Sequence, residues 1–582
     1  MKNTKKIIGI LTLSATMFVS CGDLLEDAFD SKLTVEPKTQ YSPEQVFSTV
    51  EGVETAVNGM YSQLQGYDYY GAKLRLLTWP HSGKYNSKQG ANQDANTLNV
   101  TNTNINLDAV WLGMYQTINS ANQIIENVAD KASLSNRDTS LGQAFFIRAI
   151  VYFDLVRLFG EVPLRVVSPT KDELHLANST EEEIYSQIIA DLKLASQLLP
   201  DRGQYKDGRV LKYAANAYLA KVYVTIAGRN DATLHVSNFD PVLESEISSA
   251  VITDFWQEAA DELDEVINNG GYTMTTTFGD LFAEGVQNTS ESIFELQYGA
   301  FGDDRSNDII RDVISTDHPS VPAGSTVFGR IRPNKEMFSD HVLQYGGLTG
   351  ADYAGKDPAV DFIPGGNAGK AVTFDLTIAD PRLTETYVYN SYTRTNNGNE
   401  FKVFPVQNNN RGNNAYPFLN KYKDASYNNV TTNLNIVLLR YAEVLLLRAE
   451  VENELNGPGS AYQYVNQVLL RARTTATGTT TLPADWDGTS VPDQDTFRER
   501  IMKEYEYELN GEAHEWFYMR RRGLGRFVQE IKHHNEAVVF YGSENNKDVI
   551  FGDGVDPTPS SLESEMHIPI PLSETSANRD VN

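Results

Sequence analysis

Apolar residues recur every three or four positions in several long stretches of this chain, which is the pattern of amphipathic helices. The clearest stretch is residues 140–160, SLGQAFFIRAIVYFDLVRLFG, in which Leu141, Tyr152 and similar residues fall on one face. Gly160 and Pro163 follow the last periodic position and mark the end of the helix. The pattern therefore predicts one long helix here.

Three more helices are predicted along the next hundred residues. In residues 180–200, Thr180 is a candidate N-cap, and three glutamates follow it in the first turn. Residues 209–228 are rich in alanine, which allows close helix packing, and residues 253–270 repeat the apolar spacing. Together with residues 140–160 they indicate a helical region.

A second helical region lies towards the other end of the chain. Residues 435–457, NIVLLRYAEVLLLRAEVENELNG, are predicted as one helix that ends at Gly457 and Pro458, and residues 460–473 as the next. Two such helices with a short connection form a helical hairpin.

Hairpins with alanine-rich, aromatic faces resemble tetratricopeptide-type repeats, but their spacing departs from the regular period of ~34 residues. The prediction is a mainly α fold with a scaffold of divergent tetratricopeptide-like hairpins, located mainly in residues 108–270 and 432–530. Residues 66–107 and 275–430 show little helical period and are rich in Gly, Asn, Asp and Tyr. They are predicted to form long loops with short strands, such as ESIFELQYG and ETYVYN, and to make the ligand face.

Composition narrows the possible functions. The 582 residues carry a formal net charge of −28, which argues against binding to nucleic acid or to anionic lipid. Hydrophobic residues make up 41% of the chain, enough for a large core, and no long Pro-rich or Ser-rich linker divides it. We therefore expect residues 46–582 to form a single domain.

The N-terminal residues have the pattern of an export signal. Lys2, Lys5 and Lys6 precede an apolar run, residues 7–19, that is too short to span a bilayer. Residues 1–20 are therefore predicted to be a signal peptide. No later segment reaches the ~18 consecutive apolar residues that a membrane-spanning helix needs.

Cys21 is the only cysteine of the chain and directly follows this signal. The sequence FVSC resembles a bacterial lipobox, in which the signal is cut before the cysteine and the thiol is acylated. Acyl chains anchor a protein by about 0.8 kcal/mol per buried methylene. Cys21 is thus predicted to be the lipid anchor and residues 21–45 the tether. The alternative is that Cys21 is a buried thiol at the end of an ordinary signal.

Four motifs, spread over the chain in a fixed order, resemble one family. They are AFFIRAIVYFDLVRLFGEVPL at 144–164, ADPRL at 379–383, LLRYAEVLLLRAEVENELNG at 438–457 and IPIPLSETSAN at 568–578. Together, behind a lipobox, they resemble the SusD/RagB-like outer-membrane lipoproteins. One motif departs from the family pattern: in NGEAHEWFYMRRRG, Glu515 stands where the family has Arg and Tyr518 where it has Asp.

The resemblance implies a function that periodicity cannot show. Members of the family lie on the outer face of the outer membrane, bind a nutrient oligomer, usually a glycan, and deliver it to a SusC-like TonB-dependent transporter. The tetratricopeptide-like side would face that transporter, and no catalysis is implied. The alternatives are binding of a peptide or glycopeptide for uptake and, in another class, a surface-anchored hydrolase.

Sugar rings stack on aromatic faces, and their hydroxyls are bound by amide and charged side chains, so mixed loops of these residue types are candidate sites. The candidates in the first loop are Tyr69, Tyr70, Arg75, Trp79, His81, Tyr85 and Asn86. A facing set follows a strand candidate: Tyr298, Phe301, Asp304 and Arg305. The alternative for Trp79, which precedes a proline, is that it fills the core. Trp111, Trp256 and Trp516 are expected to be core residues.

Enzymatic and metal sites find little support. GGNAGKA at 365–371 lacks the spacing of a phosphate-binding loop, His514 lacks the second histidine of a zinc pair, and KHHNE at 532–536 is placed at a solvated helix end. We therefore expect no enzyme and no cofactor. Acidic loops such as FGDGVDPTPSS offer oxygen ligands, so a structural calcium ion stays open without an assigned site.

Overall fold

The structure is a computed structural model. It describes residues 42–87, 94–170, 174–204, 208–230, 249–299, 307–345, 380–405, 413–427, 429, 431–512, 514–541, 550, 562–578 and 580–581. The predicted anchor Cys21, the loop GGNAGKA and the acidic segment FGDGVDPTPSS lie outside these residues.

The described part of the chain is mainly helical, as predicted. Its α-helices are α1 Pro43–Val46, α2 Val50–Leu64, α3 Lys73–His81, α4 Ile105–Val128, α5 Arg137–Phe159, α6 Glu181–Leu198, α7 Lys212–Asn230, α8 Ser249–Asn269, α9 Ile309–Val313, α10 Lys335–Tyr345, α11 Arg382–Thr386, α12 Tyr441–Asn456, α13 Pro458–Ala472, α14 Gln494–Leu509, α15 Glu515–Arg520, α16 Leu524–Tyr541 and α17 Leu572–Ala577. A five-residue π-helix, Tyr67–Gly71, precedes α3. The prediction of a long loop over residues 66–107 is therefore wrong for residues 67–81, which are largely helical.

The strands of the described residues are short. They are β1 Tyr85–Ser87, β2 Val162–Pro163, β3 Asn178–Ser179, β4 Ser292–Leu296, β5 Ile331–Pro333, β6 Tyr387–Val388, β7 Ser391–Thr393, β8 Glu400–Lys402, β9 Phe418–Leu419, β10 Ile436–Arg440, β11 Thr474–Thr475 and β12 Gly478–Thr479. They pair antiparallel as β1–β5, β2–β3, β4–β10, β6–β9, β7–β8 and β11–β12. Both strand candidates of the sequence, within ESIFELQYG and ETYVYN, are confirmed as β4 and β6.

Helices that follow each other in the chain pack against each other. We call α4 to α8, with α12 and α13, the helical stack: α4 packs on α5, α5 on α6, α6 on α7, α7 on α8, α8 on α12 and α12 on α13. The predicted cap of α6 is confirmed, because Thr180 accepts a hydrogen bond from the Glu183 amide while the Glu183 side chain binds the Thr180 amide. The likeness of this stack to tetratricopeptide repeats stays a prediction.

The prediction of one helix over residues 435–457 is wrong in its first part. Residues 436–440 form strand β10, and α12 begins only at Tyr441. Arg440 is extended, with φ −136° and ψ 163°, and the run of Ile, Val and Leu pairs with β4. A short, continuous apolar run does not distinguish a buried strand from a helix, so periodicity could not reveal this boundary.

The main hydrophobic core runs through the stack, and a smaller core lies beneath the loops. Trp111, Trp256 and Trp516 belong to the main core, as expected from the sequence. Trp79 and Tyr85 belong to the smaller core, with apolar residues of α9 and β5. Among the described residues, no helix is both long enough and apolar enough to cross a membrane.

Buried charges join the loops to the C-terminal helices. We call the following residues the ion cluster: Asp380, Arg382, Lys421, Arg440, Arg471, Glu504, Glu508 and Glu512. Arg382 binds Asp380, Glu504 and Glu508 at 2.7, 2.6 and 3.1 Å, and all four side chains are fully buried. Glu508 also accepts hydrogen bonds from Arg440 and Arg471.

Candidate functional site

The two loop regions that the sequence marked as facing walls do meet in the structure. The Gln65 side chain donates to the Gln297 carbonyl at 2.5 Å, and the Tyr298 hydroxyl donates to the Gln65 carbonyl at 2.9 Å. Arg75 pairs with Asp312 across the same contact, with Nη2 and Oδ2 3.0 Å apart. These contacts fix the region around Tyr69 relative to the region around Asp308.

Most of the described candidate residues are buried beneath the surface that these two regions form. Trp79 is 2% exposed and stacks on Tyr85, with ring centroids 4.9 Å apart. Tyr69 and Tyr70 both donate to Oδ2 of Asp154, at 2.7 and 2.6 Å. Burial, followed by the Asp154 charge, raises the pKa of both tyrosines well above the usual value, so both hydroxyls stay protonated donors.

Four further candidates, all among the described residues, also lie in the interior. Arg75, His81, Asn86 and Tyr298 are buried, and Asn86 accepts a hydrogen bond from Arg332. Phe301, Asp304 and Arg305 lie outside the described residues. The buried side chains have packing and hydrogen-bonding roles here, as the alternative for Trp79 foresaw. Their contact with a ligand stays a prediction, and their burial argues against it.

The departure from the family pattern at Glu515 has a local explanation. The Tyr85 hydroxyl and the Gly511 amide both donate to Oε1 of Glu515, at 2.8 and 3.0 Å. Glu515 is completely buried, and burial raises the pKa of its carboxyl. Glu515 therefore positions the Tyr85 ring by a hydrogen bond, and Trp79 stacks on that ring.

An exposed aromatic pair lies on the same face. Tyr67, in the π-helix, is 36% exposed, and Phe328, before β5, is 39% exposed. They are the two aromatic residues among the strongly exposed large hydrophobic side chains of the described chain. We call Tyr67, Lys73, Asp308, Arg311, Phe328 and Arg330 the loop-face patch.

Charged groups surround the two rings of the loop-face patch. The guanidinium carbons of Arg311 and Arg330 lie 5.4 and 4.6 Å from the Phe328 ring centroid, and Lys73 Nζ lies 5.5 Å from that of Tyr67. Such contacts hold long cationic side chains over aromatic faces. Burial, and after it the charge of Asp308, raises the pKa of Tyr67. The patch thus combines flat apolar surfaces with donors and acceptors, the residue types that sugars require.

The sequence identified two regions that meet in the structure, but its described candidate rings are largely buried and the exposed rings are others. In the stretch GYDYYGAK, Tyr67 is exposed while Tyr69 is buried, and no periodicity separates them because the segment forms a π-helix. Phe328 lies in an irregular segment between α9 and β5, where neither a helical nor a strand period applies. Only the fold brings it next to Arg311, whose carbonyl accepts from the Phe328 amide at 3.1 Å.

Histidine and acidic side chains do not gather into a metal centre in the described residues. His514 lies next to Glu443 in the interior, and burial lowers its pKa to about 4. KHHNE was expected at a solvated helix end, which is wrong: these residues lie inside α16, and His534 is buried against Glu336 at 2.6 Å. The calcium site stays without an assignment.

Comparison with known proteins decides the family. The sequence model described as the SusD family matches residues 290–582, and a second one, described as starch-binding associating with outer membrane, matches residues 33–224. The chain belongs to the SusD family. A SusD-like protein, P2, of Formosa agariphila is 29% identical over 546 residues and is covered to 90%, as is this chain. A SusD-like protein of Bacteroides ovatus is 25% identical over half of each chain.

Solved structures share the fold of this SusD-family chain. A SusD homolog from Bacteroides thetaiotaomicron superimposes with a TM-score of 0.67 at 18% identity, covering 92% of this chain and 96% of that one. A structure determined with xylogluco-oligosaccharide superimposes with a TM-score of 0.64 at 17% identity, covering 90% and 97%.

The motifs that carry the resemblance have structural roles in this SusD-family protein. Arg148 binds both carboxylate oxygens of Asp191, at 2.7 and 2.8 Å, and the Val166 carbonyl at 2.9 Å, which fixes the turn after α5. Arg382 of ADPRL and Arg440 of LLRYAE are members of the ion cluster. The signature residues therefore position the loops.

Proposed function

We propose that this protein binds a nutrient glycan at the outer membrane and delivers it to a SusC-like TonB-dependent transporter. The single observation that carries the binding proposal is the loop-face patch, where two exposed aromatic rings lie among cationic and acidic side chains. Family membership, and the relative crystallised with xylogluco-oligosaccharide, support a glycan as the ligand.

We propose that the patch is a stacking platform for sugar rings and that buried contacts beneath it hold it in place. Tyr67 and Phe328 supply the apolar faces, while Arg311, Arg330 and Asp308 bind sugar hydroxyls. The Arg75–Asp312 pair and the Trp79–Tyr85 stack hold the two loops that carry these residues. Binding then requires no large rearrangement, which limits the ordering entropy lost on association.

Binding should be measured on wild-type protein against starch oligosaccharides, xyloglucan oligosaccharides, host and microbial glycans, and mixed peptides. The proposal expects saturable binding of one glycan class without turnover. Binding of peptides alone would favour the peptide-uptake alternative. Release of shortened products from a bound glycan would favour a surface-anchored hydrolase.

Cys21 is proposed to be acylated and to anchor the protein to the outer membrane, with the protein exposed on the cell surface. The second family model, described by association with the outer membrane, supports this location. Cys21→Ala should release the protein from the membrane fraction or leave it uncleaved. Retention of a processed Cys21→Ala protein in cells without the transporter would contradict the anchor.

The transporter partnership rests on family membership and is tested independently of the ligand. Extraction in mild detergents should co-purify a large β-barrel protein with the wild-type chain. Recovery as a monomer under several detergents, with the transporter expressed, would contradict it.

A further inference from the structure

A small cavity lies where α5, α7 and α15 meet the segment before α17. Four arginines line it: Arg157, Arg229, Arg520 and Arg521. Trp516 and His567 also line it, and no acidic side chain of the described residues does. We call it the arginine cavity. Its volume of about 20 Å³ suits one occupant of roughly the size of a water molecule.

Three of these arginines have carboxylate partners outside the cavity. Arg157 binds Asp154 at 2.6 Å, Arg229 binds Glu181, and Arg521 binds Glu450 with Nη2 and Oε2 2.6 Å apart. Their charges are therefore largely balanced.

Arg520 differs from the other three. It is 5% exposed, and its guanidinium carbon lies 3.3 Å from the Trp516 ring centroid. Its Nε and Nη2 donate to the Glu565 carbonyl at 3.3 and 3.2 Å, and Nη2 also donates to the His81 carbonyl at 3.3 Å, but its Nη1 is buried without a hydrogen-bond partner. Burial lowers the pKa of Arg520 well below the usual value, and the Glu565 charge, which forms no ion pair with it, opposes that only in part. A buried cation without a counter-charge is strongly unfavourable.

A second donor with no partner lines the same cavity. The indole Nε1 of Trp516 is buried and unpaired, and an indole nitrogen can only donate. Burial, and then the Arg229 charge, lowers the pKa of His567 to about 4, so its ring adds no positive charge at neutral pH. Two unpaired donors, one of them on a guanidinium without an ion pair, favour an acceptor that is also negative.

We propose that the arginine cavity binds a single halide-sized anion, chloride, held by Arg520 with Trp516 as a second donor. The anion balances the Arg520 charge. It also secures the C-terminal segment, in which the Glu565 carbonyl binds Arg520 and the Ile568 amide donates to the Leu158 carbonyl at 2.7 Å. This inference does not depend on glycan binding.

Crystals grown in sodium bromide test the site directly. Wild-type crystals should show an anomalous bromide peak beside Arg520, and Arg520→Gln crystals should show none. Arg500→Gln is the matched control, because Arg500 also lies over a tryptophan, 4.8 Å from the ring centroid of Trp486, but outside the cavity. That variant should keep the peak. A peak absent from wild type while other bromide sites are visible would overturn the proposal.

Thermal melting in solution provides the second readout. The melting temperature of wild type should rise and saturate with chloride or bromide relative to gluconate at equal ionic strength, because a ligand bound to the native state stabilises it. Arg520→Gln should lose this halide dependence. If Arg520→Gln does not fold, the two wild-type measurements still decide. A crystal peak without halide-specific stabilisation would identify an adventitious ion only and overturn the proposal.

Discussion

The helical stack and the loop face, by which we mean the described parts of residues 66–107 and 275–430, are stabilised by different interactions. Between α5 and α7 the interior consists mainly of apolar side chains, such as Phe146, Ala149 and Leu219. Beneath the loops, the small apolar core around Trp79 is supplemented by buried ions, above all the ion cluster around Arg382 and Glu508. Apolar packing follows from a repeating pattern, whereas an ion network depends on individual residues far apart in sequence. The difference explains why one region can be read from periodicity and the other cannot.

A fall in pH should reveal the largest difference in stability between the two regions. Burial alone would raise the pKa of Glu512, but Arg440 and Lys421 outweigh it and lower the pKa to about 2. The pKa of Glu508 is lowered in the same way, where burial is outweighed by Arg471, Arg440 and Arg382. Unfolded glutamate has a pKa of about 4.3, so the stabilisation is complete above that pH and is lost as the pH falls towards 2.

In the stack the sign is reversed for the pair between α5 and α6, whereas on α12 burial of Glu450 is outweighed by Arg521 and Arg522, which lower its pKa to about 2. Burial raises the pKa of Asp191 despite Arg148. Hydrogen exchange between about pH 5 and pH 2 should therefore show the loop face and α14 opening before α5 and α6. Simultaneous opening of both regions would contradict the comparison.

Removal of one charge from the ion cluster should lower stability by a large amount. Glu508→Gln leaves Arg382, Arg440 and Arg471 with too few counter-charges, and breaking a buried ion pair costs about 3–5 kcal/mol of unfolding free energy. Chemical denaturation measures the loss. Glu499→Gln, on an exposed glutamate, should change stability by less than about 1 kcal/mol. Equal effects of the two variants would show that the ion cluster is not needed.

Trp79→Ala should also lower the unfolding free energy by a large amount. Trp79 fills the small core under the loops, and truncation of a buried aromatic residue typically costs about 3–5 kcal/mol. The melting temperature and the glycan affinity of the folded protein should be measured together. An unchanged melting temperature with lost binding would make Trp79 a ligand residue, as the sequence suggested, and would contradict its packing role.

The amount of structure that can be predicted from the sequence differs between these regions for physical reasons. The helices of the stack, the cap at Thr180 and the burial of Trp111, Trp256 and Trp516 follow from spacing and side-chain type. Strand β10 does not, because its partner β4 lies 140 residues away in the chain.

At the candidate site, composition indicated which loops meet but not which rings are exposed. Tyr67 and Tyr69 are two residues apart in the same π-helix, yet of these two only Tyr69 hydrogen-bonds to Asp154. Exposure there is decided by contacts between distant segments, which a single sequence does not display.

The loop-face patch should show the smallest effect on stability and the most specific effect on function. Tyr67→Ala and Phe328→Ala remove exposed rings, so each should change the unfolding free energy by only about 0.5 kcal/mol. Tyr464→Ala is a matched control, because Tyr464 is a partly buried ring beneath Arg448, located on α13 away from the loops.

The affinity of the Tyr67→Ala/Phe328→Ala protein for the starch or xyloglucan oligosaccharide that wild type binds is the most direct test of the central claim. Aromatic anchors commonly contribute at least ~2 kcal/mol, so the account predicts at least a roughly thirtyfold loss of affinity with an unchanged melting temperature. Tyr464→Ala should bind like wild type. Wild-type affinity in the double variant would contradict the assignment of the ligand site to the loop-face patch.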